Sequence, residues 1–312
     1  MHISFSRGDW RPSQRFVPTM AMLLAVTLWG SSFVAMKIAF TELDPFFVVF
    51  GRLTIASLCF LPFVRRYGGA ALQRRHILPL VWMALCEPCF YFLFETFALQ
   101  YTSASQASMI TTMLPLMVVL TAALVLKEKL SRKTVAGFLV AAAGALWLTL
   151  AGDSTEQAPK PVLGNFLELI AMACATGYII LAKVLTRELS PVIVTAVQSI
   201  IGALFFFPFL FLPQVALPFG APASAFAIVL YLGLFVSVGA YGLYNYGVSR
   251  LPASQASAFI NLIPVFSIAL GFLLLGERLN CWQVIACILV FSGVIISQDR
   301  KSCHLDSEVK NE

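Results

Sequence analysis

Ten apolar stretches divide this chain, each long enough or nearly long enough to cross a bilayer as a helix, and that feature leaves few folds open. Crossing roughly 30 Å of hydrocarbon takes about 20 helical residues. The runs fall at 18–40, 46–64, 77–99, 103–126, 134–151, 164–186, 192–212, 225–248, 253–276 and 281–298. Strands fit them poorly, because a barrel strand takes about 9–11 residues and alternates polar with apolar, and these runs do not alternate. Composition agrees: 59% of residues are hydrophobic and 12% charged, where soluble domains carry roughly 25% charged. The 27 Phe must therefore face something apolar. The expected fold is an all-α integral membrane protein whose first partner is the lipid bilayer, with no soluble domain between the spans.

The net charge of +6 would raise the question of nucleic acid in a soluble chain. Here the basic residues sit in the gaps. With the N-terminus in the cytoplasm, the inner segments hold Arg7, Arg11 and Arg15, then Arg65, Arg66, Arg74 and Arg75, then Lys127, Lys129, Arg132 and Lys133, then Lys183, Arg187, Arg250, Arg300, Lys301 and Lys310. Lys160 and Arg278 remain outside, and Lys37 and Arg52 lie within spans. By the positive-inside rule both termini face the cytoplasm. The charge is topological, and no nucleic-acid partner is implied. The first apolar run follows a basic start but is too long for a secretory signal, so it reads as a retained span.

An internal repeat sets the architecture. Ala104-Ser105-Gln106-Ala107-Ser108 recurs as Ala253-Ser254-Gln255-Ala256-Ser257, and the same offset carries Pro115 to Pro264, Glu128 to Glu277, Leu130 to Leu279 and Gly144 to Gly293. Earlier in the halves, the offset from Ala25 to Ala171 also carries Lys37 to Lys183, Leu43-x-Pro45 to Leu189-x-Pro191, and Pro62-Phe63 to Pro208-Phe209. The chain reads as two copies of one unit, 18–151 and 164–298, with five spans in each. An odd number of spans inserts the second copy upside down. Inverted repeats can exchange conformations about a site near the midplane, which is the geometry of alternating access.

The residues also carry a family resemblance. Trp29-Gly30-Ser31-Ser32-Phe33, Gly51-Arg52-Leu53, the run Ala98-Leu99-Gln100-Tyr101-Thr102-Ser103-Ala104-Ser105-Gln106-Ala107, and Leu275-Gly276-Glu277-Arg278-Leu279 resemble, in order and spacing, the EamA family of the drug/metabolite transporter superfamily. The resemblance spans roughly residues 20 to 298. It implies ten helices, a central cavity and movement of small metabolites, often export of amino acids or related compounds. Lys127-Glu128-Lys129-Leu130 departs from the family's usual Gly-Glu-Arg/Lys-Leu in a loop.

Charged groups at membrane depth cost about 2.5–3.5 kcal/mol each on insertion scales, so each needs a reason. Glu87, Tyr91 and Glu95 share one face of the third run, and Pro88 should kink the helix beside Glu87. The eighth run carries a matching uncharged stripe of Ser237, Tyr241, Tyr244 and Asn245. The two faces are expected to wall a cavity. Counted at 1.5 Å per residue, Glu87 lies about 18 Å from the end of its helix, Arg52 about 9 Å and Glu95 about 6 Å. Arg52 and Glu95 are therefore candidates for a structural ion pair, and Glu87 for binding a cationic group or carrying a proton. Ser108 and Thr112 precede Pro115, and Ser257 and Asn261 precede Pro264, so both prolines mark expected bends beside the site. Hydrogen bonding between helices is the alternative role for the serines and for Gln106 and Gln255. Trp29 and Tyr178, in the first and sixth runs, either stack on substrate or fill space.

Other chemistry finds no support. Cys86-x-x-Cys89 lies in an apolar helix without a second ligand pair, and His2, His76 and His304 fall outside the spans, so neither a metal nor a cofactor is called for. No phosphate-binding Gly-Lys-Ser/Thr loop indicates nucleotide hydrolysis. Gly137, Ala141 and Ala145 form a small-residue face that serves either internal packing or a homodimer. The expected function is secondary transport, most simply export, of a small polar or amphipathic metabolite across a bacterial inner membrane. Uptake or exchange of a nucleotide-like metabolite, or a membrane receptor or enzyme, is the alternative.

Overall fold

The computed structural model describes residues 12–64, 72–126, 132–152, 154–156, 158–251, 256 and 258–297. The expectations for Ser257, for 253–255 and for the 127–130 loop lie outside these. Among the described residues the chain is helical, with one isolated bridge between Thr155 and Ala158. The helices are α1 Pro12–Ala39, α2 Pro45–Phe63, α3 Arg74–Tyr101, α4 in two pieces Ala104–Ile110 and Met113–Leu126, α5 Arg132–Leu150, α6 Pro161–Leu185, α7 Pro191–Phe206 with a tighter turn Phe207–Phe211, α8 Ala223–Arg250, α9 Ile260–Leu275 and α10 Cys281–Ser297. Eight, α1 to α8, are long and apolar enough to cross a membrane, while α9 and α10 are shorter apolar helices.

Local chemistry explains the repeated strings. Leu-x-Pro starts the second helix of each half. Asp44 accepts the amide of Phe46 at 2.9 Å and Ser190 that of Ile193 at 3.3 Å, with Pro45 and Pro191 at the first helical position. Proline suits that position because its missing N–H is one the helix could not use. Ser103 caps α4 through the amide of Gln106 at 3.1 Å. Gly276, at φ +65°, ends α9 in the left-handed conformation that glycine adopts at least cost.

Polarity runs inside out. Leu139, Leu204, Ile288 and Ile295 are more than 60% exposed, whereas Arg52, Glu95 and Glu168 are at most 3% exposed. Water would reverse that order; hydrocarbon accounts for it.

The halves interlock. α1 packs on α8 and α9, and its counterpart α6 packs on α3 and α4, so the first helix of each half serves the other. α2 faces its counterpart α7, and α5 lies along its counterpart α10. There Gly293 brings its backbone so close to α5 that an added Cβ would stand 2.3 Å from the amide nitrogen of Ala141, and Gly137 and Gly144 meet α10 as tightly. The small-residue face of α5 is thus used within the chain.

Two measurements follow. Gly293→Ala forces two backbones apart and should cost about 1–3 kcal/mol, read as a lower Tm in detergent, while Gly242→Ala, with nothing within 4 Å of the new carbon, should be neutral. At the start of α3, Glu188 from the α6–α7 turn meets His76 Nε2 and Arg75, each at 2.9 Å. The His76 hydrogen bond and then the Arg75 charge hold the exposed Glu188 carboxyl below its usual range. Because its folded value is depressed, this contact stabilises above the ordinary carboxylate range and is lost as pH falls through the lowered value. Protection of the amides at 74–76, corrected for the intrinsic exchange rate at each pH, should fall on acidification, and Glu188→Gln should remove that acid-dependent step.

Candidate functional site

A cavity lies where the two halves meet, with about 40 Å³ open to the centres of water molecules. One water needs about 10–15 Å³ on that measure, so the space holds a few waters. Its lining repeats with the sequence. The two offsets of the internal repeat pair Trp29 with Ala175, Ser32 with Tyr178, Phe33 with Ile179, Phe92 with Tyr241, Glu95 with Tyr244, Thr111 with Ile260 and Leu114 with Ile263, and every one of these residues lines the cavity. The cavity therefore sits on the pseudo-symmetry axis.

Interrupted helices shape its walls. α3 breaks at Glu87, whose φ −149° and ψ 120° are extended within a widened turn, Leu85–Phe90. The residue before a proline is driven out of the helical region by the proline ring, so Pro88 places the break on Glu87 itself. α8 widens over Leu232–Ala240, at the equivalent level. α4 is interrupted at Thr111 and Thr112, and α9 tightens over Ile260–Leu262. The interruptions in α4 and α9 are each followed within four residues by a proline, Pro115 or Pro264. The carbonyl one turn before Pro115, that of Thr111, is taken up by the amide of Leu114 at 3.0 Å. The residues just before the prolines, rather than the prolines, meet the cavity.

The charged groups all come from the first half. Arg52 is 1% exposed, donates from Nε to Ser237 Oγ at 2.9 Å, approaches Met36 Sδ at 3.3 Å and stacks over the Phe92 ring at 4.6 Å. The expected Arg52–Glu95 ion pair is not formed: among the described residues no nitrogen of Arg52 lies within 4.0 Å of a Glu95 oxygen. The reason is competition, since Ser237 and Met36 take the guanidinium and the Tyr91 hydroxyl donates to Glu95 Oε1 at 2.7 Å. Glu87, for which the sequence offered no partner, accepts the Tyr241 hydroxyl at 2.6 Å. Trp29 completes an aromatic wall, its ring 5.1 Å from that of Tyr241 and 4.7 Å from that of Tyr244.

Of the residues expected at the site, Trp29, Arg52, Glu87, Tyr91, Glu95, Tyr178, Tyr241 and Tyr244 line the cavity. Four others do not. Ser108 and Thr112 turn back onto the carbonyls of Ser105 and Met109. Asn245 stands behind the wall, accepting from Tyr178 at 2.8 Å and donating to Thr195 at 2.8 Å, and Asn261 is buried with no hydrogen-bond partner for its side chain among the described residues. Most of the lining residues that residue-type reasoning passed over, such as Ala175, Ile179 and Ile263, are apolar, with Ser32 and Thr111 as polar exceptions. The repeat offset applied to Trp29, Phe33 and Leu114 marks those three apolar residues.

An aromatic and charged cavity on the axis between two duplicated helical units defines the class: an integral membrane transporter. The model of the EamA-like transporter family matches residues 18–150 and again 162–297, and the chain belongs to that family. It is 27% identical over 287 residues to the uncharacterized transporter YetK of Bacillus subtilis, covering 90% of this chain and 87% of that protein. It is also 27% identical over 285 residues to a probable terminal-alkyne amino-acid exporter of Streptantibioticus cattleyicolor, covering 90% and 93%. A solved crystal structure shares the fold with a TM-score of 0.66 at 21% identity, over 93% of this chain and 99% of that one.

The link through Asn245 makes a double-mutant test. Asn245→Leu takes one of two side-chain partners, Asn245 and Gln198, from the Tyr178 hydroxyl and should cost about 1 kcal/mol. Adding Tyr178→Phe removes that hydroxyl and should recover part of that loss in Tm.

Proposed function

We propose that this chain is a secondary transporter that exports a small zwitterionic metabolite, an amino acid or a close relative, by alternating access. In this reading the ten helices are ten spans in two inverted units, 18–151 and 164–298, with both termini in the cytoplasm and the protein in the inner membrane. The observation that carries it is the pairing of the cavity lining at the repeat offsets. Two units that enclose one site symmetrically can close it toward either side with nearly equal energy, which is what an alternating transporter requires. The small cavity then corresponds to an occluded form that must open to admit substrate.

The chemistry of the walls supports a zwitterion. Arg52 offers a guanidinium to a carboxylate, Glu87 with Tyr241 offers an acceptor to an ammonium group, and Trp29, Tyr178 and Tyr244 offer aromatic faces to an apolar side chain. A phosphate-bearing substrate would meet one cation and two carboxylates here. The named function of the Streptantibioticus relative points the same way.

Purified protein in proteoliposomes, preloaded with unlabelled amino acids and offered labelled ones, should show exchange. Glu87→Gln should keep the folded yield and lose exchange by about tenfold or more, the equivalent of one charge-assisted hydrogen bond. Wild-type exchange with no member of an amino-acid panel, or full exchange by Glu87→Gln, would contradict the reading.

A further inference from the structure

α6 carries a carboxylate that the site above does not use. Glu168 is fully buried, and neither of its oxygens has a hydrogen-bond partner among the described residues. It does not line the cavity. The antiparallel register of α6 on α3 is fixed at both ends by glycines: an added Cβ on Gly164 would stand 2.9 Å from the Ala98 carbonyl and 2.7 Å from Thr102, and one on Gly177 would stand 2.8 Å from Cys86 Sγ. That register sets Glu168 opposite Glu95. Glu95 has one oxygen held by Tyr91, while its other oxygen, Oε2, is buried with no partner among the described residues. The two carboxylates lie within range of each other's charge, and Tyr91 within range of both.

The surroundings decide what such a pair holds. Arg52, from α2, reaches Glu95 with its field while its own hydrogen bonds go to Ser237 and Met36. From α8, Tyr241 and Tyr244 face the cavity. Asn165 of α6, one turn from Glu168, accepts from Thr102 at the end of α3 at 2.7 Å and donates to Gln106 of α4 at 3.1 Å and Thr149 of α5 at 3.3 Å. Lys183, on α6, lies at the other end of that helix on the carbonyls of Val248 and Leu251, as Arg132 and Lys133 lie at the far end of α5. A hard metal cation takes about six or more oxygen ligands, and three carboxylate oxygens lack partners here. A proton needs two. Neighbouring carboxylates out of water cannot both ionise and instead hold one proton between them.

We propose that Glu95 and Glu168 form a proton-carrying pair at the α3–α6 interface, separate from the groups that hold substrate, linking the cavity to the membrane face where α3 ends and α6 begins. Glu95 takes a proton from the cavity, Glu168 receives it as Glu95 gives it up, and Glu168 releases it to water entering from the side where α3 ends; the Asn165, Gln106, Thr102 and Thr149 cluster makes that end of the interface polar without itself carrying the proton. Each carboxyl returns to its first state with the next proton, so no other reactant is consumed. The coupling to substrate rests on the transport reading above; the shared proton does not.

Two measurements on the full chain in lipid vesicles test this separately. Infrared difference spectra across pH read the C=O stretch of protonated carboxyls. Wild type should show a protonated-carboxyl band from the shared proton that Glu168→Gln removes or shifts, whereas Glu87→Gln should leave that band in place. A Glu168→Gln spectrum that titrates like wild type overturns the pair. In vesicles enclosing a pH-sensitive dye, a mixture of L-amino acids should drive proton movement through wild type, and Glu168→Gln should still exchange labelled for unlabelled amino acid with that movement lost. Proton movement retained in Glu168→Gln overturns the coupling. If wild type moves no amino acid, the transport reading fails and the infrared result still decides the pair.

Discussion

Hydrocarbon offers no hydrogen bonds, and the structure depends on that at every level. It forces the spans to be helical, because only a helix satisfies its backbone from within. It turns Leu, Ile and Phe outward and leaves Arg52, Glu87, Glu95 and Glu168 buried. Once those groups are inside, they must find one another or find hydroxyls and aromatic faces. Tyr241 on Glu87, Tyr91 on Glu95, and Ser237 with Phe92 on Arg52 are the result. The cavity is where the chain concentrates groups that lipid cannot accept.

Duplication adds shape, and divergence between the copies adds chemistry. Equivalent residues from the two halves line the cavity in pairs, and equivalent helices are interrupted beside it. The charges break that symmetry. Applied to Arg52, Glu87 and Glu95, the repeat offsets give Gln198, Val236 and Tyr244, none of them charged. A symmetric frame can rock between two states, while the cavity's charges, confined to one half, would move with that half, and Glu168 of the other half faces Glu95 across the α3–α6 interface. The same division appears at the rim. Glu277 binds the amides of Ala104 and Ser105 at 2.8 and 2.9 Å, so the end of one repeat's fourth helix holds the start of the other's.

Much of this was legible in the residues. Run lengths gave the helices, and the recurring Ala-Ser-Gln-Ala-Ser and Leu-x-Pro strings gave the duplication. Glu87 before Pro88 gave the break in α3. The expected ion pair of Arg52 and Glu95 was not legible correctly, because depth along two helices says nothing about rotation, and rotation gave the guanidinium to Ser237. Ser108 and Thr112 misled for another reason: hydroxyls in helices bond their own backbone as readily as a ligand. Glu168 lies in the sixth run among apolar neighbours, and its significance depends on the register of α6 against α3, which glycine contacts fix and no local pattern displays.

The central claim is that one cavity on the axis between two inverted units is reached from each side of the membrane in turn. In a background with its cysteines replaced, Leu114→Cys and Ile263→Cys place thiols at equivalent points of the wall. Labelling by a membrane-impermeant thiol reagent, applied to sealed vesicles from one face and then the other, measures access directly. The account predicts that each cysteine reacts from both faces and that excess amino acid changes both rates. Reaction of each cysteine from a single face only, or from neither, would contradict it.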